Sequence, residues 1–184
     1  MREDIHRPRA SLTGSLLLAH PSLRDPNFKR TVVLMTADGA EGSMGVVLNR
    51  PRRQRLGEMG GVFALTQLAG VPVFHGGPVQ TEQLILAAWQ RRQQGFQLHL
   101  GIEPERAISL QAEKNVQVRA YLGYAGWTAG QLQAELKGNT WIVADAPDDL
   151  FEQPGDATLW RRSLARQGAE WRLLAEEPED PDRN

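Results

Sequence analysis

The sequence contains no cysteine. That excludes disulfides, thiolate metal sites and a cysteine nucleophile, and it fits a reducing compartment. Histidine is sparse. The four, His6, His20, His75 and His99, show no H-E-x-x-H or other local spacing of metal ligands. Long apolar runs are missing as well. The N-terminal segment offers only residues 16–19, short of the roughly 7–15 apolar residues of a secretory core and the roughly 20 of a membrane span. The chain therefore reads as soluble and cytoplasmic, with no membrane partner. Charge of one sign is not in excess: 21 Lys and Arg face 22 Asp and Glu, for a net charge of −1. That argues against a whole-surface nucleic-acid field but not against a local patch. There is no dinucleotide fingerprint, no P-loop and no G-x-S-x-G elbow. Ser43, in "GSMG" at 42–45, reads as a turn residue. No catalytic set, cofactor or metal is expected.

What is present suits one globular domain. At 184 residues a chain buries roughly 70% of its unfolded surface, enough for one core. β-branched and apolar runs predict strands at 15–20, 31–37, 43–49, 71–79, 116–124 and 140–146. The link "DGAEG" at 38–42 is short enough for an antiparallel hairpin. "GFQLHLG" alternates Phe96, Leu98 and Leu100, the period of a half-buried strand. "EQLILAAWQ" at 82–90 is strand-like, with a helix as the alternative. Helices are predicted at 103–114, 129–137 and 158–168, the last stopped by Gly168, with a short helix among the glycines near 60–70. "RPRRQR" at 50–55 reads as a break in the sheet. Strands outnumber helices and many links are short, which favours an α+β domain on a mainly antiparallel sheet. Residues 1–13 read as a flexible arm and 14–172 as the domain. Residues 173–184, acidic and proline-interrupted, read as a disordered tail.

The stretch "YLGYAGWTAGQLQAEL" at 121–136 reads as a glycine-rich turn that launches a helix. Thr128 and Gln131 have capping-box spacing, with Trp127 and Leu132 as the hydrophobic staple. Leu132 and Leu136 share an inward face, and Gly138 suits the left-handed position that ends a helix. Local physics thus accounts for most of these residues, although a helix start is also an anion site in principle. "LNRPRRQR" at 48–55 carries four arginines, whose forks suit phosphate or carboxylate; a solvated loop is the simpler reading. His20 and His75 sit at turns and read as hydrogen-bonded turn or core histidines before acids or bases. Phe28 reads as core beside Arg30. Trp127 and Trp141 fit core roles, Trp160 and Trp171 would dock the C-terminal helix, and Trp89 has no assigned place.

Six stretches, "GSLLLAHP" (14–21), "DPNFKRTVVLM" (25–35), "GSMGVVLNRP" (42–51), "HGGPV" (75–79), "LGYAGWTAGQL" (122–132) and "TWIVADAPDDLF" (140–151), each resemble a block of the YqgE/AlgH family of bacterial proteins, in family order. The resemblance implies a single α+β domain with a bifurcated antiparallel sheet curled toward a pseudo-barrel and a few flanking helices. It implies no particular activity, while the AlgH name associates the family with regulation of alginate synthesis. The chain departs from the family in having Gln133 where a glutamate is usual, in a shorter segment between Pro51 and Val71, and in a tail after 168 that resembles no block.

Function is read as a non-catalytic ligand-binding, protein-binding or regulatory module. Its partner would be a protein or a small molecule, and its surface Asn49, Arg50, Pro51, His75, Gly76, Gly77, Pro78, Tyr124, Trp127 and Gln131. One alternative is a DNA-binding transcriptional regulator using Arg50, Arg52, Arg53 and Arg55, although the net charge disfavours nucleic acid. The other is an enzyme or a nucleotide or anion binder at the Thr128 helix start.

Overall fold

The computed structural model describes residues 11–176. Nine strands among them form one sheet: β1 (Ser15–Ala19), β2 (Val32–Gly39), β3 (Gly42–Val47), β4 (Pro51–Arg55), β5 (Pro72–His75), β6 (Val79–Arg91), β7 (Phe96–Leu100), β8 (Val116–Thr128) and β9 (Trp141–Asp145). Four α-helices flank it: α1 (Pro104–Gln111), α2 (Gln131–Lys137), α3 (Thr158–Ala165) and α4 (Ala169–Glu176). Between β4 and β5 lie three 3₁₀ turns, Leu56–Met59, Gly61–Leu65 and Gln67–Gly70, in place of the expected short helix.

The strand order is β4-β5-β8-β3-β2-β1-β9, with β6 pairing both β8 and β7. Every pair is antiparallel except β5–β8. The sheet divides at β8. Its earlier residues lie between β5 (Ala120–Leu122) and β6, while Ala125, Gly126, Trp127 and Thr128 pair with β3. This is the bifurcated, mainly antiparallel sheet expected, and it is not closed into a barrel: β4, β7 and β9 each pair on one side only.

Period-2 alternation sorts the apolar residues onto two faces. On one face Leu16, Leu18, Leu34, Leu48, Phe74, Trp89 and Tyr121 pack under α3 and α4. On the other, Leu17, Val33, Met35, Val47 and Trp127 pack with Leu132 of α2. Val73, Leu86, Val118 and Leu122 pack there with Leu110 of α1 and with Leu56 and Leu68 of the 3₁₀ turns.

Several expectations are corrected. The glycine stretch before α2 is strand, not turn: β8 continues to Thr128, which pairs with Gly42. Thr128 is therefore not the helix cap. Gly130 is, at φ 77°. Half of the capping box survives, since the Gln131 side-chain oxygen accepts from the Thr128 amide at 3.1 Å and from its hydroxyl at 3.3 Å. Gly138 has φ −81°, and Asn139, at φ 55°, takes the left-handed position instead. The run 50–55 does not break the sheet but forms edge strand β4, whose charges suit an edge. Ser43 lies in β3, buried, its hydroxyl donating to Asp38 at 2.6 Å. At the C-terminal end, 173–176 are helical and Ala175 is buried; 177–184 lie outside the described residues. At the N-terminal end the Leu12 amide donates to the Asp38 carboxylate at 2.8 Å, tying down the end of the expected arm; 1–10, with His6, lie outside the described residues.

Candidate functional site

Most of the residues singled out from the sequence meet where the sheet divides. The Val47 amide donates to the Gly76 carbonyl, the His75 amide to Arg50, and the Gly76 amide to Leu122, all at 2.8–2.9 Å. Asn49–Pro51, His75–Pro78 and the Gly123–Tyr124 part of β8 are thereby held against one another. The glycines allow the contact. A Cβ on Gly76 would lie 2.2 Å from the Gly123 carbonyl oxygen, and one on Gly77 2.1 Å from the Tyr124 carbonyl carbon.

This junction spends its polar groups on the fold. Asn49 is buried; its side-chain oxygen accepts from the Val32 amide and its side-chain nitrogen donates to the Arg30 carbonyl, both at 2.9 Å. Arg50 donates to the Lys29 carbonyl at 2.6 Å. Pro51, His75 and Pro78 are exposed, and Tyr124 is half-buried. The arginine run does not act as one patch: Arg55 donates to the Gly70 carbonyl at 3.0 Å, while Arg52 and Arg53 are exposed on β4.

Trp127 and Gln131 belong to a separate cluster. The indole N–H groups of Trp127 and Trp141 both donate to one oxygen of Glu135, at 2.9 and 2.7 Å, and the Gln131 side chain donates to the other at 3.0 Å. Phe28 packs against both indoles. Glu135 thus supplies a carboxylate to α2 although Gln133 does not. Removing it strands two indole donors, so Glu135→Ala is expected to cost about 1–3 kcal/mol in urea unfolding, and Glu135→Gln clearly less. Of the other aromatics, His20 meets Trp171 edge-on at 5.6 Å, and the Trp160 indole donates to the Ala19 carbonyl.

Sequence reasoning missed a second arrangement, on the α3 side of the sheet. Arg119 is 7% exposed, lies between the rings of Phe74 and Phe151 (5.2 and 5.7 Å), and donates to the carbonyls of Phe151 and Gln153 at 3.3 and 3.4 Å. Two residues on, Tyr121 is fully buried. Burial raises its pKa, offset in part by the Arg119 charge and by the approach of Arg119 and the Trp89 indole, so it is a neutral phenol at ordinary pH. These neighbours act on its charge without completing a hydrogen bond: the Tyr121 hydroxyl and Trp89 Nε1 are both buried, with no hydrogen-bond partner among the described residues. The signal was available, since "VQVRAYLGY" places Arg119 on the same strand face as Tyr121, and a charge in mid-strand is rarely buried without a reason.

A cleft of about 250 Å³ opens beside this layer. Trp89 and Phe151, stacked at 3.4 Å, and Phe96 form its aromatic wall. Arg91, Asn115, Gln117, Asp148 and Glu152 supply its polar rim, and Arg91 is ion-paired with Glu152. The covering segment is tethered by Asp149, which accepts from Arg166 at 3.2 Å and from Gln153 at 2.9 Å. The Arg166 hydrogen bonds, chiefly, hold the Asp149 pKa below its ordinary value. A depressed carboxylate pKa stabilises the fold above the unfolded-chain value near 4, and that contribution is lost as pH falls through the folded value. Arg166→Gln is therefore expected to lose a small amount of stability near pH 7, because the pair is half exposed, and to converge on the wild type in acid, so that its urea midpoint falls less steeply below about pH 4. Among the described residues no three His, Asp or Glu side chains group to hold a metal ion, and no helix is long and apolar enough to cross a membrane.

Residues 16–172 match the AlgH-like family model, so the match extends past 168 into α4. The chain is 38% identical to a UPF0301 protein of Thermobifida fusca, over 98% of this chain and 100% of that one. It is 37% identical to one of Streptomyces coelicolor, over 95% and 96%. The solution structure of the AlgH protein from Pseudomonas aeruginosa aligns over 98% of this chain and 100% of that one, with TM-score 0.66 and 28% identity. A crystal structure from Corynebacterium diphtheriae, 22% identical, shares the fold with TM-score 0.70 over 94% and 95%. The chain belongs to the AlgH-like family.

Proposed function

We propose that this member of the AlgH-like family is a binding module that takes a small molecule in the Trp89–Phe96–Phe151 cleft. The observation that carries the reading is the cleft's make-up: an aromatic wall of Trp89, Phe96 and Phe151 with five polar side chains converging on its rim, the combination of apolar wall and orienting polar groups found in small-molecule sites. Its volume, about 250 Å³, falls below the roughly 300–1,000 Å³ of drug-sized sites, which favours a single-ring ligand. The junction of Asn49, Arg50, Gly76 and Gly77 then acts as the frame that fixes β8, and its exposed members, Pro51, His75 and Pro78, remain available to a protein partner.

The test is saturation-transfer NMR with benzoate, benzamide, uracil and nicotinamide. Transfer to at least one probe is expected in the wild type, and its loss in Gln117→Trp, where a large ring on an exposed rim position fills the cleft without disturbing the core. Transfer to none, or transfer that Gln117→Trp leaves intact, overturns the reading.

A further inference from the structure

Arg119 is a cation held out of water. Among the described residues it makes no ion pair, and its two hydrogen bonds, at 3.3 and 3.4 Å, are at the long limit of useful geometry. A buried charge of this kind carries a large desolvation cost unless it is paired. Beside it the Trp89 indole N–H and the Tyr121 hydroxyl are buried and find no hydrogen-bond partner among the described residues. Ala87 lies opposite Arg119 in the register, between the Ile85–Tyr121 and Trp89–Gln117 pairs. An indole N–H and a guanidinium can only donate, while a phenol can donate and accept. The acceptors at hand, the Tyr121 oxygen and the two distant carbonyls, are all neutral, so the cluster's fixed charge of one positive unit calls for one negative unit. A water molecule would accept hydrogen bonds but bring no charge.

We propose that Arg119, Tyr121 and Trp89 form a receptor for a monocarboxylate, and that this carboxylate is the anionic end of the molecule the cleft takes. The second half rests on the cleft reading; the first does not. The planar guanidinium fork matches both oxygens of a carboxylate, while a phosphate dianion would leave an excess negative charge buried among neutral donors. Phe151 marks the way in. Its ring lies both on Trp89, in the cleft wall, and over Arg119, and its carbonyl takes one of the two long bonds from Arg119. A ligand ring that replaces Phe151 on Trp89 places its carboxylate at Arg119, exchanging two long neutral acceptors for one charged acceptor.

The experiment uses sodium formate, with formamide as its neutral counterpart, followed at the Trp89 indole ¹⁵N–¹H signal, assigned with Trp89→Phe. Formate is small enough to need no aromatic wall, so its failure counts against the receptor alone, and failure of the ring probes counts against the cleft alone. A saturable shift is expected with formate and none with formamide. Arg119→Met should abolish it. Tyr121→Phe, which removes only an unpartnered hydroxyl and should melt no lower than the wild type, should weaken formate at least threefold; it keeps the test decisive if Arg119→Met does not fold. No saturable shift, an equal response to formamide, or a formate response unchanged in both variants overturns the proposal.

Discussion

Gly77→Ala is expected to unfold the protein under conditions where Gly39→Ala leaves it intact. An added Cβ at Gly77 would lie 2.1 Å from the Tyr124 carbonyl carbon, 2.2 Å from its oxygen and 2.4 Å from the Ala125 nitrogen. All three are backbone atoms of the strand on which both halves of the sheet depend, so no side-chain rotation relieves the overlap. Gly77 also has φ 152°, a conformation side chains rarely adopt. Relief requires β8 to separate from the Gly76–Gly77 crossing, which would break the Gly76–Leu122 and Val47–Gly76 hydrogen bonds that hold the junction. The expected loss exceeds about 4 kcal/mol, in the range reserved for severe steric and network damage, against a typical domain stability of about 5–15 kcal/mol. At Gly39 a Cβ would meet nothing within 4 Å, so the same chemical change should fall within about 0.5 kcal/mol of the wild type. Urea unfolding of the two variants settles the matter; a Gly77→Ala midpoint near that of Gly39→Ala would show that the crossing is not tight.

Where sequence reasoning succeeded and failed follows from which interactions are local. Strands such as β1, β2 and β9 are legible because their apolar residues are dense and bounded by turns, and α3 because Gly168 punctuates the chain after it. Thr128 was misread because two local signals competed. Its spacing to Gln131 is that of a helix cap, but pairing with Gly42 on β3, eighty-six positions away in sequence, keeps it in the strand, and tertiary pairing outweighs a cap worth about 1 kcal/mol. The edge strand β4 was illegible because hydrophobic periodicity cannot detect a strand with no buried face. The convergence of the 49–51, 75–78 and 123–124 segments could be guessed from their glycines and prolines, but not what their side chains do there. The cleft was invisible for a different reason. Its wall is assembled from β6, β7, the start of β8 and the segment carrying Phe151, and no single window contains more than a fragment of it. Arg119 lies between these cases: strand alternation gives its face, but only the fold shows that no acid among the described residues pairs with it.

The second large effect separates structural from binding roles at the junction. Asn49 was singled out as a binding residue, yet its amide bridges two strand-entry groups: the Val32 amide and the Arg30 carbonyl, each at 2.9 Å. Arg30 has φ 54°, so the chain turns sharply just before β2, and the Asn49 side chain takes the place of the strand partner the turn cannot provide. Val32 is fully buried, so its amide depends on the Asn49 side-chain oxygen for a partner. Asn49→Ala should therefore cost about 2–4 kcal/mol, about 1–3 from the buried Val32 amide left unpaired and a smaller part from the half-buried Arg30 carbonyl. Asn49→Asp should restore little, because a carboxylate can accept from Val32 but presents a negative oxygen to the Arg30 carbonyl. If Asn49 instead served a ligand, either variant would keep its unfolding midpoint and lose only binding. The structural role predicts the opposite: a lowered midpoint in urea, and unchanged ring-probe affinity at the Trp89 cleft when measured at low temperature where the variant is folded. The two results cannot be confused, since the cleft is lined by Trp89, Phe96 and Phe151 and not by Asn49, and a stability loss of this size is beyond what an exposed binding residue would show.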